Sequence, residues 1–467
     1  MDTIIQHITL ELVENINKKA FSKELTDLDG LAANLFEDCA EYARQILQEI
    51  VRIRNLQIRE DKCFRKRNGL VLKEKDRPRQ LLTKLGTIQW DRDYYYDKNN
   101  ESYVFPLDHM LGIKCYERIG DEVIAQLLNR ATEVSYSKSS DIVTGGAVSR
   151  QSVHDHLLKV YIPEKQPETS GKSVSTLHVY ADEDHTHIQK PGKKRGKQNQ
   201  IVPLVTVTEG IEPVGLRRNR TLAPMHFVDE EQSSKKLWKS VEGYVAKAYD
   251  VDQIDRIYIH GDGGNWIQGG LDSFSNVTHV MDGYHFFKSL RAVTRKYPQR
   301  NIRGVILDAL IEDDRRKADR ILQEMAQDDE VQKFGTYLFR NWEEIRNLVT
   351  LNIPGSCTES QVSHVLSERF SRNPMGWSRK GLGKLSKLRV YNINGGKLTG
   401  KDIKISCSET YSEYADRFIK ESASVSLDWS IFENETFVMD GNSGTQTLLR
   451  FYGTDYGILG RNTLVLA

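Results

Sequence analysis

LHVYADEDHTHIQ, residues Leu177–Gln189, begins as an apolar run, passes through three consecutive acids and ends with two histidines two positions apart. Side chains alternate across a strand, so Asp182 and Asp184 share one face while Glu183 and His185 share the other. Two carboxylates on one face at the end of an apolar run are costly unless water, a base or a cation meets them. The stretch therefore reads as a strand that carries a candidate metal site.

The flanking sequence extends this strand into a sheet. QIVPLVTVTEG (Gln200–Gly210) and MHFVD (Met225–Asp229) read as two further strands, and IDRIYIHGDGGNWI (Ile254–Ile267) and VTHVMDGYHF (Val277–Phe286) each contain one more. From about 286 to 350 the chain is charged and helical, and a helix over Thr358–Arg372 follows. Three strands, then α/β alternation, then a helical block before the last helix is an RNase H-like order with an insertion.

Two later acids complete a set. Asp262 follows the apolar run Ile257–Ile259 at the start of a glycine-rich loop that permits close ligand approach. In the last helix Val362, Val365, Leu366 and Phe370 define the buried face, with Glu359 about 45° from its centre and Glu368 about 135° away. Glu359 also lies in the first turn, where an acid favours the helix dipole whether or not it binds anything. Two strand acids and one helix acid suit Mg²⁺, which prefers oxygen ligands and keeps waters for activation. Zinc would favour His185 and His187 instead, but they lie on the opposite face and no third ligand follows.

The N-terminal part reads differently. Leu35, Cys39, Tyr42, Ile46, Ile50 and Ile53 recur at helical spacing within 31–56, and a β-hairpin pattern fills the region 59–115. Around VTGGAVSRQSVHDHL a helix, a Gly-Gly turn and a second helix capped by Ser149 put Arg150 and Gln151 on an outer, N-terminal surface. That is either a helix-turn-helix or a helical pair with polar surface residues. IPEKQPETSGKS (Ile162–Ser173) reads as a linker, with a boundary near 165–172. The expected division is 1–58, 59–115, 116–165 and 173–467.

Of the 467 residues, 39% are hydrophobic, and 66 basic residues balance 65 acidic ones. The basic residues cluster, notably at Lys62–Arg67, Lys190–Lys197 (with Lys193, Lys194 and Arg195), Leu216–Arg220 and Ser378–Arg389 (with Arg379 and Lys380). Such clustering in a neutral chain points to a polyanion, most simply nucleic acid. No run of about 18 apolar residues suggests a membrane span, and the first twenty residues lack the core of a secretory signal. The five cysteines show no CxxC pair, which fits a reducing cytoplasm.

YADEDH, HGDGGNWI, DGYHFFKSL, and GSCTESQVSHVLSERFSRNPMGWS with LRVYNINGG together resemble the ISLre-type bacterial insertion-sequence transposases, a DDE group. The likeness also takes in TKLGTIQWDRDYYYD and AVSRQSVHDHL. It implies an α/β protein: an RNase H-like catalytic domain with a helical insertion at about 286–350, preceded by a mostly helical DNA-binding region with a small β-hairpin module. It implies catalytic and metal-binding roles for Asp182, Asp262 and Glu359, with Asp184 two residues along as the alternative first acid. Mg²⁺, with Mn²⁺ able to substitute, would serve cleavage of double-stranded DNA at terminal inverted repeats and strand transfer into target DNA. His285 matches a histidine that positions a phosphate or a flipped base, or is simply packed. A homodimer or higher oligomer on DNA and a cytoplasmic, nucleoid-associated bacterial location follow from the same resemblance.

Overall fold

The structure is a computed structural model that describes residues 2–20, 27–189, 197–215, 218–351, 353, 357–372 and 376–405. Its contacts divide these residues into two units, one within Met1–Gln80 and Ile88–Glu117, the other within Leu81–Thr87 and Arg118–Ser408.

In the first unit the helix expected over 31–56 runs longer, as α2 (Leu28–Glu60), because the Asp27 carboxylate accepts from the Asp29 and Gly30 N–H groups and starts it early. α1 (Asp2–Ala20) packs along it, and α3 (Lys62–Arg67) follows. β1 (Leu70–Thr83), β2 (Gly86–Asp97) and β3 (Ser102–Val104) form a sheet in that order, and α4 (Pro106–Leu111) closes the unit. The sheet therefore has three strands where a hairpin was expected. The separation expected at residue 58 is absent: Arg59 on α2 donates to both oxygens of the fully buried Asp93 on β2, each at 2.6 Å, and the Asp93 N–H donates to Asn55 Oδ1. Breaking a buried pair of this kind strands a charge, so helix and sheet hold together as one body.

The second unit begins with α5 (Asp121–Ala131), α6 (Tyr136–Thr144) and α7 (Arg150–Lys159). The strands β4 (Thr176–Gln189), β5 (Lys197–Thr208), β8 (Met225–Phe227), β9 (Arg256–Gly261) and β10 (Val277–Met281) form one sheet, and β6 (Gly210–Gly215) and β7 (Arg218–Leu222) make a separate ribbon. The sheet order is β10-β9-β4-β5-β8; β4 runs parallel to β9 and β9 to β10, whereas β5 runs antiparallel to both β4 and β8. Alternation gives the sheet two apolar faces. Leu177, Val179, Ala181, Val205 and Val207 pack under α8 (Ser234–Ala248) with the short α9 (Gln268–Leu271) nearby. Ile188, Val202 and Leu204 face the other way, toward the chain's last helices.

α10 (Gly283–Lys296), α11 (Ile302–Glu312), α12 (Arg315–Gln323), α13 (Asp329–Arg340) and α14 (Trp342–Thr350) form the helical block expected at 286–350, with a core of its own around Phe286, Leu310, Phe334 and Trp342. The last helix runs as α15 (Thr358–Val362), a π-turn (Ser363–Ser367) and α16 (Glu368–Phe370), followed by α17 (Arg379–Ile393) and α18 (Gly400–Ile405). Val362, Val365, Leu366 and Phe370 are all buried, as their spacing required.

One boundary is corrected. The division expected near 165–172 does not separate α5–α7 from the rest: Val153, Leu157, Val160 and Ile162 share a core with Leu204, Leu366 and Leu385. The proline-rich stretch is a surface connection beside that core rather than a hinge between domains. Among the described residues no helix is long and apolar enough to cross a membrane.

Candidate active site

The parallel pairing of β4, β9 and β10 brings their carboxyl ends to one edge of the sheet, the place where open α/β sheets bind ligands. Asp182 lies on β4, on the face that meets α15. β9 ends at Gly261, where a Cβ would come within 2.5 Å of Ile267 Cδ1 and 3.1 Å of the Ala181 carbonyl, so a glycine is needed to bring Asp262 in close. The turn continues through Gly263 at φ +86°, and Asp262 Oδ1 accepts from the Gly264 N–H at 2.9 Å, which fixes the side chain.

β10 runs into Asp282, which is almost fully buried. Its N–H donates to the Gly261 carbonyl, and its carboxylate caps α10, accepting from the His285 N–H and from His285 Nδ1 at 2.9 Å. His285 Nε2 then stands 3.8 Å from Glu359 Oε1, in the first turn of α15. The hydrogen bond to Asp282, followed by the charges of Asp282, Asp182 and Asp262, raises the imidazole above its ordinary range, so it carries charge more readily than a free histidine. Glu359 is about 50% exposed, at the rim rather than near the buried side of its helix as expected, because Thr358 takes the buried position in that first turn.

The four groups share one electrostatic environment. Burial first, then the charges of Glu359 and Asp262, pushes the Asp182 carboxyl up to about 7, against the opposing pull of the Glu183 backbone N–H and of His285. Among the described residues no lysine or arginine pairs with Asp182, Asp262 or Glu359. The donor set is all oxygen and short of positive charge, which fits a hard divalent cation. The side chains do not form a closed shell: among the described residues no group of three His, Cys, Asp or Glu side chains lies close enough together to hold a metal ion.

Asp184 is placed elsewhere. It is 6% exposed, and its oxygens accept from the hydroxyls of Thr186, Ser367 and Ser371. The structure brings Asp182 to Asp262 and Glu359, and uses Asp184 to tie β4 to the helix that carries Glu359. Glu368 faces away and sits among His364, Arg372 and Arg389. On the reverse face Glu183 accepts from Trp266 Nε1 at 2.6 Å, and His185 is exposed beside Asn199.

Arg150 and Gln151 are exposed in the first turn of α7, Gln151 donating to Asp155, and Ser149 caps that helix as expected. Arg379 and Lys380 are exposed at the start of α17, where the Gln189 N–H donates to the Trp377 carbonyl. Lys193, Lys194 and Arg195 lie outside the described residues. Sequence reasoning missed Asp282, whose signal was its position as N-cap three residues before His285. It also missed the cations stacked on rings in the first unit: Lys73 over Tyr96, Arg77 over Tyr94 and Arg92 over Phe105.

The family model described as "Uncharacterised protein family (UPF0236)" matches residues 21–404. The chain belongs to the UPF0236 family. Two UPF0236 proteins of Caldanaerobacter subterraneus subsp. tengcongensis are each 32% identical to it over 386 residues, covering 80% of this chain and 77% of theirs. One of them carries eleven gene designations under a single name and the other four. Among solved structures, the Drosophila P element transposase strand transfer complex is similar at 11% identity and a TM-score of 0.22, over 69% of this chain and 87% of that one. A likeness of that size carries no argument about the site.

Proposed function

We propose that this UPF0236 protein is a DNA transposase of the DDE type, cutting and joining DNA with Asp182, Asp262 and Glu359. The observation that carries the reading is the convergence of these three acids, from two neighbouring parallel strands and a separate helix, with His285 against the third. The strand order β10-β9-β4-β5-β8, with one antiparallel half and one parallel half, supports an RNase H-like catalytic core. The helical block between the second and third acids supports the insertion-bearing form. Eleven gene designations under one name in one genome is the multiplicity a mobile element leaves, which supports transposition over a resident nuclease.

Asp182, Asp262 and Glu359 are the residues that would hold Mg²⁺, or Mn²⁺ in its place, once drawn closer together than they stand in this structure; when bound, the metal would supply activation of the attacking hydroxyl or water and stabilisation of the leaving oxygen at phosphorus. The chain's own residues do the rest. Asp282 fixes the His285 ring by its Nδ1 hydrogen bond and leaves Nε2 facing the acids, where it can donate to a phosphate oxygen. Asp184 and its serines hold the third acid's helix in register with β4. The exposed cations of α7, α17 and the first unit grip the DNA backbone, which makes binding fall with salt.

One observation favours a rival, a DNA-binding protein without chemistry: the acids do not form a closed metal shell. The test is cleavage and joining of DNA carrying the repeats that flank the encoding gene, with Mg²⁺ or Mn²⁺. Sequence-specific binding with no cleavage by the wild-type chain would establish the rival.

A further inference from the structure

A cleft of about 500 Å³ opens directly beside Asp262, between the Asp262–Gly263 turn and one face of α13. Val331, Phe334 and Leu338 point into the core of the helical block, while Lys333, Thr336 and Arg340, at spacings of three and four, line the cleft; Tyr337 lies between, its ring packed against that core and its side chain also reaching the cleft wall. Asn341 follows, and its Oδ1 lies 3.0 Å from where a Cβ on Gly263 would stand, so the helix end and the turn are in close approach.

Among the described residues three of these side chains have polar groups without a partner. Lys333 and Arg340 are exposed and pair with no acid among the described residues. Among the described residues the buried Tyr337 hydroxyl has no hydrogen-bond partner, so a ligand group in the cleft could supply one. Two unpaired cations and an unsatisfied phenol line a cleft of ligand size whose end is a catalytic acid. The single acid on the helical wall, Asp329, is at the first turn of α13, one turn from Lys333 but two turns from Tyr337 and further from Arg340.

Resting on the transposase reading, we propose that this cleft receives one nucleotide of the strand being cut, next to the phosphodiester held at the three acids. Lys333 and Arg340 take its phosphate, and the Tyr337 hydroxyl hydrogen-bonds its base or sugar. The helical block is thus a second wall of the substrate site. Cations that track the backbone are the means by which single strands are held elsewhere.

The test uses the full chain and a duplex of the terminal repeat that flanks its gene, carrying 5-iodouracil at positions next to the junction with flanking DNA. After irradiation, mass spectrometry locates the crosslink. Attachment within Lys333–Arg340, lost in Tyr337→Phe and Arg340→Ala, is the expected result; attachment elsewhere for every probe position overturns the proposal. This readout needs no cleavage, so an Asp262→Asn chain that crosslinks at α13 separates this proposal from the chemistry. In the cleavage assay Arg340→Ala should lose about tenfold or more, the scale of one charge-assisted hydrogen bond, with duplex affinity nearly unchanged. Tyr337→Phe and Arg340→Ala both cleaving at the wild-type rate would also overturn it. A mononucleotide alone protecting α13 from crosslinking as well as the DNA does would identify a free-nucleotide site instead.

Discussion

Ser371 Oγ donates to both oxygens of Asp184, at 2.6 and 2.7 Å, and so joins the helix that bears Glu359 to the strand that bears Asp182. Ser367 adds a second hydroxyl from the same helix at 2.8 Å. Asp184 belongs to the frame that sets the distance between first and third acids. Asp184→Ala leaves these hydroxyls unsatisfied in a buried place and should cost about 1–3 kcal/mol, read as a lower Tm. Ser371→Ala should cost less and lower strand transfer with DNA affinity unchanged. An Asp184→Ala chain with wild-type Tm and lost metal binding would instead make Asp184 a ligand.

Glu359 and Glu368 are nine residues apart and both exposed, but Glu359 stands beside His285 whereas Glu368 sits among His364, Arg372 and Arg389. Glu359→Gln should stop strand transfer and weaken Mg²⁺ or Mn²⁺ binding in calorimetric titration. Glu368→Gln gives up exposed pairs with His364 and Arg372, each worth about 0–1 kcal/mol, and a contact with the buried Arg389, which keeps its hydrogen bonds to the Val365, Thr132 and His364 carbonyls, so strand transfer should stay near wild type. The reverse outcome would place the third acid on the other side of the π-turn.

Stability should depend on pH through buried histidines. His226, 6% exposed beside Thr206 Oγ1, is pushed down by burial to about 4, below the roughly 6.5 of an unfolded chain. The unfolded state therefore takes up the proton first as pH falls. The stability this neutral histidine contributes is complete above about 6.5 and is lost progressively toward 4, on the order of 3 kcal/mol in all. Tm should fall across that window, and His226→Asn should make the fall shallower without abolishing it, since burial lowers His178 and His260 as well. An unchanged slope in His226→Asn would show that other groups set it.

Arg77, stacked on Tyr94 and Phe105 in the first unit, is a candidate for a phosphate contact. Arg77→Ala should weaken binding to duplex DNA about equally for all sequences and reduce the slope of log affinity against log salt by about 1. A sequence-dependent loss with the slope unchanged would point to base contact.

Much of this was legible because strands and amphipathic helices announce themselves by period. The run 177–189 alternates, so the shared face of Asp182 and Asp184 could be read, and Val362, Val365, Leu366 and Phe370 disclosed their buried face. What period cannot give is which of two acids on one face meets a distant element. That depended on Ser367 and Ser371, 183 and 187 residues after Asp184 in the chain. The angular count placed Glu359 nearer the core than it lies, because a helix wheel does not show which first-turn residue the sheet edge leaves open. The joining of α5–α7 to the sheet's core was illegible for the same reason: prolines and glycine near 165–172 mark a surface segment, and only tertiary packing decides whether the elements on either side separate.

The most direct measurement is a joining assay with terminal-repeat DNA and Mg²⁺ or Mn²⁺, run on the wild-type chain and on Asp182→Asn, Asp262→Asn and Glu359→Gln, with DNA affinity measured in parallel. The expected result is joined product from the wild type, none from any of the three variants, and unchanged affinity in all four. Joined product from the variants at the wild-type level would contradict the assignment of chemistry to these acids.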